Sequence, residues 1–235
     1  MMNQKNGRVT IFVSALLLLT IILVAANTLV VNNVSAQVSP TLGAASSYSL
    51  FGGSGVSCSG GASVTGDVGI SPGPATAITG FPGLCSIVPP GANQGGPPGA
   101  NQGGPPGTNA ARAAIGAAFT ALTQTCTGNG GTPYPDGTNL ALISPLPPGV
   151  YCSAGSFSLS GTLILSGSGV WIFRTVSTLL FNPGAKIVGG DPCNVWWQVG
   201  KAATLDTTNP IIGNILAVSG IQLNGGSILN GRALA

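Results

Sequence analysis

The chain has 235 residues, of which 5% are charged: seven Lys and Arg against four Asp, with no His and no Glu. So few charges give no basic surface for nucleic acid or acidic membranes, and four isolated Asp without Glu or His supply neither a carboxylate pair nor a metal cluster, so neither an enzyme nor a cofactor is expected. With 44% apolar residues and 38 Gly, the chain is expected to pack a core and turn often.

Lys5 and Arg8 precede an uncharged apolar run from Val9 to Val31, and small residues follow at Val34-Ser35-Ala36. A basic start, an apolar stretch and an A-x-A-like site predict a secretory signal over residues 1–36, cleaved before Gln37, with residues 37–235 secreted as one domain. The apolar run is also long enough to span a bilayer, so a membrane partner is expected only if the segment stays as an uncleaved anchor at the cell surface. Past it, five cations meet four anions, so the basic excess belongs mostly to the signal.

The stretch SVTGDVGIS around Gly66-Asp67 resembles PIIGNILAV around Gly213-Asn214. Residues 46–82 are therefore expected to add rungs to the same stack as the C-terminal half, with Asp67 hydrogen-bonding its corner. In an exported chain, Cys58 with Cys85 and Cys126 with Cys152 are the sequence-local disulfide pairings, although spacing leaves connectivity open. Each would close a loop of about 25 residues, worth about 3–4 kcal/mol. Cys193 is left over and reads as a small buried hydrophobe.

From Gly91 to Gly107 the octad GANQGGPP is written twice and begun a third time. Gly and Pro without large apolar side chains cannot offset the entropy of ordering, so residues 91–107 read as a low-complexity loop insertion. In TNAARAAIGAAFTALTQTC, Ile115, Phe119, Leu122 and Cys126 recur at helical spacing. This predicts a helix over 109–126, capped by Thr108 or Asn109, lying against a sheet.

After Pro148 the chain falls into rungs: ILSG at Ile164, IVGG at Ile187, IIGN at Ile211 and ILNG at Ile228. A second ladder places Leu159, Leu179, Leu205 and Leu223 inward and Ser158, Thr178, Thr204 and Gln222 outward. VYCS, VWIF, VWWQ and ILAV form a third. Three short strands per turn with Gly or Asn corners describe a three-sided β-helix, whereas a β-sandwich would need antiparallel hairpins. Trp171, Trp196 and Trp197 are expected to pack core and helix. Asp136 and Asp191 read as turn residues, and Asp206 as lying on an outer strand.

LGAASSYSLFGG, VTGDVGISPG, ITGFPG, PPGVY, GVWIFRTVSTLL, NVWWQVGKAATLDTTNPIIGNILA and NGRALA together resemble the ice-binding protein family of microbial antifreeze proteins. The resemblance covers nearly all of residues 37–235 except the octads. It implies a right-handed triangular β-helix with one α-helix alongside, binding ice and its ordered water through one flat face. The family's motif resembles Thr-Ala/Gly-x-Thr/Asn, and Thr76-Ala77-Ile78-Thr79 matches it. SGTL (Ser160, Thr162), NPGA (Asn182), TTNP (Thr207, Thr208) and NGGS (Asn224, Ser227) match it in part, with Pro183 and Pro210 disturbing the spacing. The expected ice contacts are therefore Thr76, Thr79, Ser160, Thr162, Asn182, Thr207, Thr208, Asn224 and Ser227, with no small-molecule substrate. The chain ends at NGRALA, where the family usually adds another strand, so the last rung is expected to carry an unpaired edge. A cell-surface adhesin or matrix protein with the same fold and no ice activity is the competing expectation.

Overall fold

Gly66 and Gly213 hold φ of +113° and +108°, a region that costs residues with a Cβ; Gly66 precedes the strand Asp67–Ile70 and Gly213 bends the strand Pro210–Ala217, each with a buried polar residue next in line. Those residues, Asp67 and Asn214, are 3% and 1% exposed. The sequence likeness of the two corners is thus a likeness of geometry. A computed structural model describes residues 37–53, 55–57, 63–72, 75–80, 86–88 and 107–235.

Six strands precede the helix: β1 (Tyr48–Gly52), β2 (Val56–Ser57), β3 (Ser63–Thr65), β4 (Asp67–Ile70), β5 (Ile78–Thr79) and β6 (Ser86–Val88). The helix α1 (Gly107–Ala121) leads to β7 (Thr138–Asn139), β8 (Gly149–Ser153), β9 (Phe157–Leu159), β10 (Thr162–Leu165), β11 (Trp171–Thr175) and β12 (Leu179–Phe181). Then come β13 (Lys186–Gly189), β14 (Val195–Val199), β15 (Ala202–Leu205), β16 (Pro210–Ala217), β17 (Gly220–Leu223) and β18 (Ile228–Leu234). The protein is mainly β with one helix. Among the described residues every strand pairing is parallel, which removes the sandwich alternative.

A seven-stranded sheet runs β4-β1-β18-β16-β14-β11-β8, and a five-stranded sheet runs β17-β15-β12-β9-β7. The pairs β10-β13, β2-β5 and β3-β6 complete the set. From β8 onward the chain visits the seven-stranded sheet, the five-stranded sheet and a third side in turn. Stacking order then departs from chain order. β18 lies between β16 and β1, with Leu50 opposite Ala233 and Phe51 opposite Leu234. The Ala235 N–H donates to Phe51 O at 2.8 Å. The edge expected to stand open at the end of β18 is therefore covered by the N-terminal segment. Arg232 ties the junction, donating to Ser46 O at 2.9 Å and Asn214 Oδ1 at 3.1 Å.

The register corrects two sequence ladders. Ile187 stands opposite Leu163, not Ile164, and Ile211 opposite Leu229, not Ile228. A slip of one residue turns a side chain to the other face. Ile164 and Ile228 accordingly point outward, 43% and 50% exposed, while Leu163 and Ile211 are fully buried. In the Leu ladder, Leu179 pairs with Phe157 and Phe181 with Leu159. That slip is two residues, which keeps the inward face but puts Leu180 rather than Thr178 beside Ser158.

Inside, Phe173 stacks on Trp197 at 4.3 Å and on Tyr151 at 5.4 Å, and Phe181 meets Trp197 edge-on at 5.1 Å. Trp171 and Trp197 belong to this core. Trp196 faces the helix side, its Nε1–H donating to Ser39 Oγ. Ala111, Ile115, Ala118 and Leu122 bury one helix stripe against Val150, Ile172 and Leu216 of the seven-stranded sheet. The helix is shorter at its C-terminus than the periodicity predicts and starts two residues earlier. Gly107 thus belongs to the helix rather than to the insertion, and Thr108 and Asn109 lie within it instead of capping it. Thr108 Oγ1 is buried without a partner, and Asn109 Oδ1 accepts from Ser71 Oγ.

Cys126 lies past the helix and is bonded to Cys152 on β8. Cys58, Cys85, the signal and residues 91–106 fall outside the described residues. Cys193 is exposed, not buried. It sits in the 3-10 turn Pro192–Asn194, where Asp191 Oδ1 accepts its N–H and holds the turn out from the core. Asp67 Oδ1 is buried without a hydrogen-bond partner among the described residues. Asp136 does act in a turn, accepting from Ser156 N and Oγ at 2.6 and 2.5 Å.

Candidate functional site

Strand alternation gives each sheet an outer surface, and the two long sheets and the β10-β13 pair differ in what they carry. The seven-stranded sheet turns large residues outward and hides them beneath α1. The β10-β13 pair exposes Thr162 beside Lys186 and Ile164 beside Val188, an apolar patch with one cation. The five-stranded sheet alternates differently. Phe157, Leu159, Leu179, Phe181, Ala203 and Leu205 point inward and are at most 1% exposed. Between them Asn139, Ser158, Leu180, Thr204 and Gln222 form one outward column, fixed by consecutive pairings.

A second column follows at the strand ends: Ser160, Asn182, Asp206 and Asn224. Each step is set by a backbone bond, Asn182 N to Leu159 O, Asp206 N to Phe181 O and Asn224 N to Leu205 O, at 2.8–2.9 Å. Side chains reinforce the order. Asn182 Nδ2 donates to Ser160 Oγ at 2.7 Å, and Gln222 Nε2 to Asn224 Oδ1 at 3.0 Å. Asn139 Nδ2 donates to Ser160 O, while its Oδ1 accepts from Ser160 N at 3.0 Å. Parallel strands repeat about every 4.8 Å across the sheet, and same-face residues about every 6.6 Å along it. The columns therefore make a grid of mostly short polar groups held by backbone and side-chain bonds.

The family model described as ice-binding-like matches residues 50–235. The chain belongs to that family. An ice-binding protein of Nostoc sp. (strain HG1) is 41% identical to it over 97 residues, 38% of this chain and 36% of the relative. One of Flavobacterium frigoris (strain PS1) is 33% identical over 95 residues, 38% of this chain and 34% of the relative. The matches thus span about a third of these curated relatives. The crystal structure of an ice-binding protein from the Antarctic ascomycete Antarctomyces psychrotrophicus is similar with a TM-score of 0.66 and 28% identity. That similarity covers 84% of this chain and 92% of the other.

The motif that the ice-binding-like family suggests does not fall on one surface. Ser160, Asn182 and Asn224 come together in the second column. Thr162 lies on the neighbouring β10-β13 pair. Thr76 and Thr79 are exposed, but on the 3-10 turn Ala75–Ala77 and on β5, in the N-terminal segment. Thr208 is exposed at the turn after β15.

Thr207 is a correction: it is 4% exposed, and its hydroxyl donates inward to Ala185 O at 2.9 Å. Ser227 is half-buried and donates to Leu205 O at 2.9 Å. Both hydroxyls staple a turn to the chain beneath by giving a carbonyl there a second donor, beside Asn209 Nδ2 at Ala185 O and Asn224 N at Leu205 O. The motif search passed over the central column itself, Asn139, Ser158, Leu180, Thr204 and Gln222. Its signal was present in the sequence as the outward half of the Leu alternation.

Charge plays little part here: of the nine grid positions, one, Asp206, carries an acidic side chain. At the sheet's margin, the hydrogen bonds from Ser156 hold the Asp136 carboxyl below its usual range. Among the described residues no group of three or more potential metal ligands occurs.

Proposed function

We propose that this chain is an exported ice-binding protein that adsorbs to ice through the outer surface of its five-stranded sheet and so inhibits ice growth or recrystallisation. Its fold in this reading is a right-handed triangular β-helix with α1 packed alongside. The observation that carries the proposal is the grid of Ser158, Thr204, Gln222, Ser160, Asn182 and Asn224 on a sheet that no α-helix of the described residues covers, in a chain of the ice-binding-like family. Ice offers a repeating array of water positions, so a matching surface must repeat too. Short side chains on a rigid sheet can order water without losing much rotamer entropy of their own. Residues 1–36 act as the export signal, which predicts mature material starting at Gln37. No catalysis is part of this reading.

The decisive test is Thr204→Tyr combined with Ser158→Tyr, assayed by ice shaping and recrystallisation inhibition. Both positions face outward, where substitutions shift stability by about 0.5 kcal/mol or less. Ice activity should be lost while the melting curve stays in place. Leu180 in the middle of the column, and Thr207 turned inward, favour a second reading: an adhesin or matrix protein on the same scaffold. Folded wild-type protein that leaves growing ice crystals unshaped selects that reading.

A further inference from the structure

The two sulfurs of the Cys126–Cys152 bond meet different surroundings. Cys152, on β8, is 6% exposed and lies on the helix side of the seven-stranded sheet. Cys126 is half-buried, between the exposed Thr125 and Thr127. The register of β8 with β11 sets Arg174 directly beside Cys152. Arg174 Nη1 donates to Cys152 Sγ at 3.7 Å and to Gln124 O at 2.5 Å, and its Nε to Gln198 Oε1 at 2.7 Å. All three acceptors are neutral, so these bonds give the cation no counter-charge.

A disulfide is cleaved when a thiolate attacks one sulfur and the other departs as a thiolate, faster the more acidic its thiol. A neighbouring guanidinium makes a thiol more acidic, whereas burial in apolar surroundings makes it less so. At Cys152 the two effects compete. The guanidinium touches the sulfur itself and is partly buried without an anion, so a thiolate there relieves both charges at once. The contact therefore prevails.

We propose that Cys126–Cys152 is a thiol-exchange site, attacked at Cys126 by a small thiol and released at Cys152 as a thiolate paired with Arg174. The thiol first loses its proton to solvent. Its sulfur then bonds to Cys126 Sγ, and the electron pair of the S–S bond leaves on Cys152 Sγ. A second thiol, or the other arm of a dithiol, next attacks the mixed disulfide, frees Cys126 as a thiolate and is itself oxidised to a disulfide. The backbone stays in place meanwhile. Thr127 N donates to Val150 O at 2.8 Å and Tyr134 N to Cys152 O at 2.7 Å, while Thr127 Oγ1 accepts from Val150 N. With the segment after α1 held there, the Cys152 thiolate can return to Cys126 and expel the thiol, which makes the exchange reversible. The proposal is independent of ice binding.

The probe is reduced glutathione, incubated with the purified full chain near neutral pH, quenched by alkylation and mapped by peptide mass. Glutathione should appear on Cys126 and not on Cys152. Arg174→Gln should slow cleavage of the bond about tenfold, as a less acidic leaving thiol requires, and Arg174→Lys should keep most of the wild-type rate. A purely structural Arg174 gives the opposite result, because loosening the site bares the bond and speeds its cleavage. An unchanged or faster rate in R174Q therefore overturns the proposal, as does glutathione on Cys152 or a wild-type bond that resists glutathione altogether. A second measurement leaves Arg174 intact. In Cys126→Ser, iodoacetamide labelling of Cys152 is followed against pH, with the exposed Cys193 as reference on the same chain. The Cys152 midpoint should lie below the ordinary thiol value of about 8.5. A midpoint at or above that value overturns the proposal.

Discussion

The outer surfaces of the seven-stranded and five-stranded sheets share one interior and one strand direction but meet opposite surroundings. Under α1 the first carries Val150, Cys152, Ile172, Trp196 and Leu216, all buried. Arg174 and Gln198 bridge to the chain above: Arg174 Nε donates to Gln198 Oε1, Gln198 Nε2 to Phe119 O, and Arg174 Nη1 to Gln124 O. Burial accordingly pushes the Arg174 guanidinium below its usual range. The second surface carries Asn139, Ser158, Leu180, Thr204 and Gln222, and among the described residues no α-helix covers them. Every second residue of a strand is free to choose its environment once the other half is committed to the core. Bulky residues there demand a cover, whereas short polar ones leave the sheet bare and regular.

The largest expected effect removes what both surfaces share. Trp197→Ala, in the aromatic stack, should cost about 3–5 kcal/mol in denaturant unfolding. A small loss would mean that the two sheets do not depend on one core. Next, Ile172→Ala beneath the helix should cost about 2–5 kcal/mol, while Leu180→Ala on the bare side should cost well under half of that. Equal costs would erase the contrast.

Cys126→Ser should lose about 2–4 kcal/mol by opening the loop that ties the segment after α1 to β8. Its thermal midpoint should then respond less to reductant than the wild type's, and ice activity at low temperature should persist. The smallest effect is a pH dependence. Tyr151 donates to Pro147 O at 2.6 Å, and burial together with the nearby Tyr134 pushes its hydroxyl up to about 12. A raised folded value means stability that is complete below the ordinary 10.0 and lost as pH climbs from there toward 12. Tyr151→Phe should flatten that alkaline slope in thermal melts at pH 9 to 12 (roughly the span of the shift).

Much of this was legible in the residues. The helix stripe, the inward Leu positions, the Gly corners at Gly66 and Gly213 and the family itself all follow from local pattern, whereas the pairing of Cys126 with Cys152 was one of the connectivities left open. Each depends on neighbours in sequence: periodicity, the φ freedom of glycine, or motif identity. Register was not legible, because Ile164 and Leu163 are equally apolar and the choice between them depends on how β10 pairs with β13. Nor was the fate of Thr207, whose hydroxyl turns inward because Ala185 O lies beneath it. The stacking of β1 on β18, which covers the outer edge of β18, joins residues 183 positions apart at Leu50 and Ala233. A contact that distant is chosen by complementary edges in three dimensions, and no local pattern specifies it.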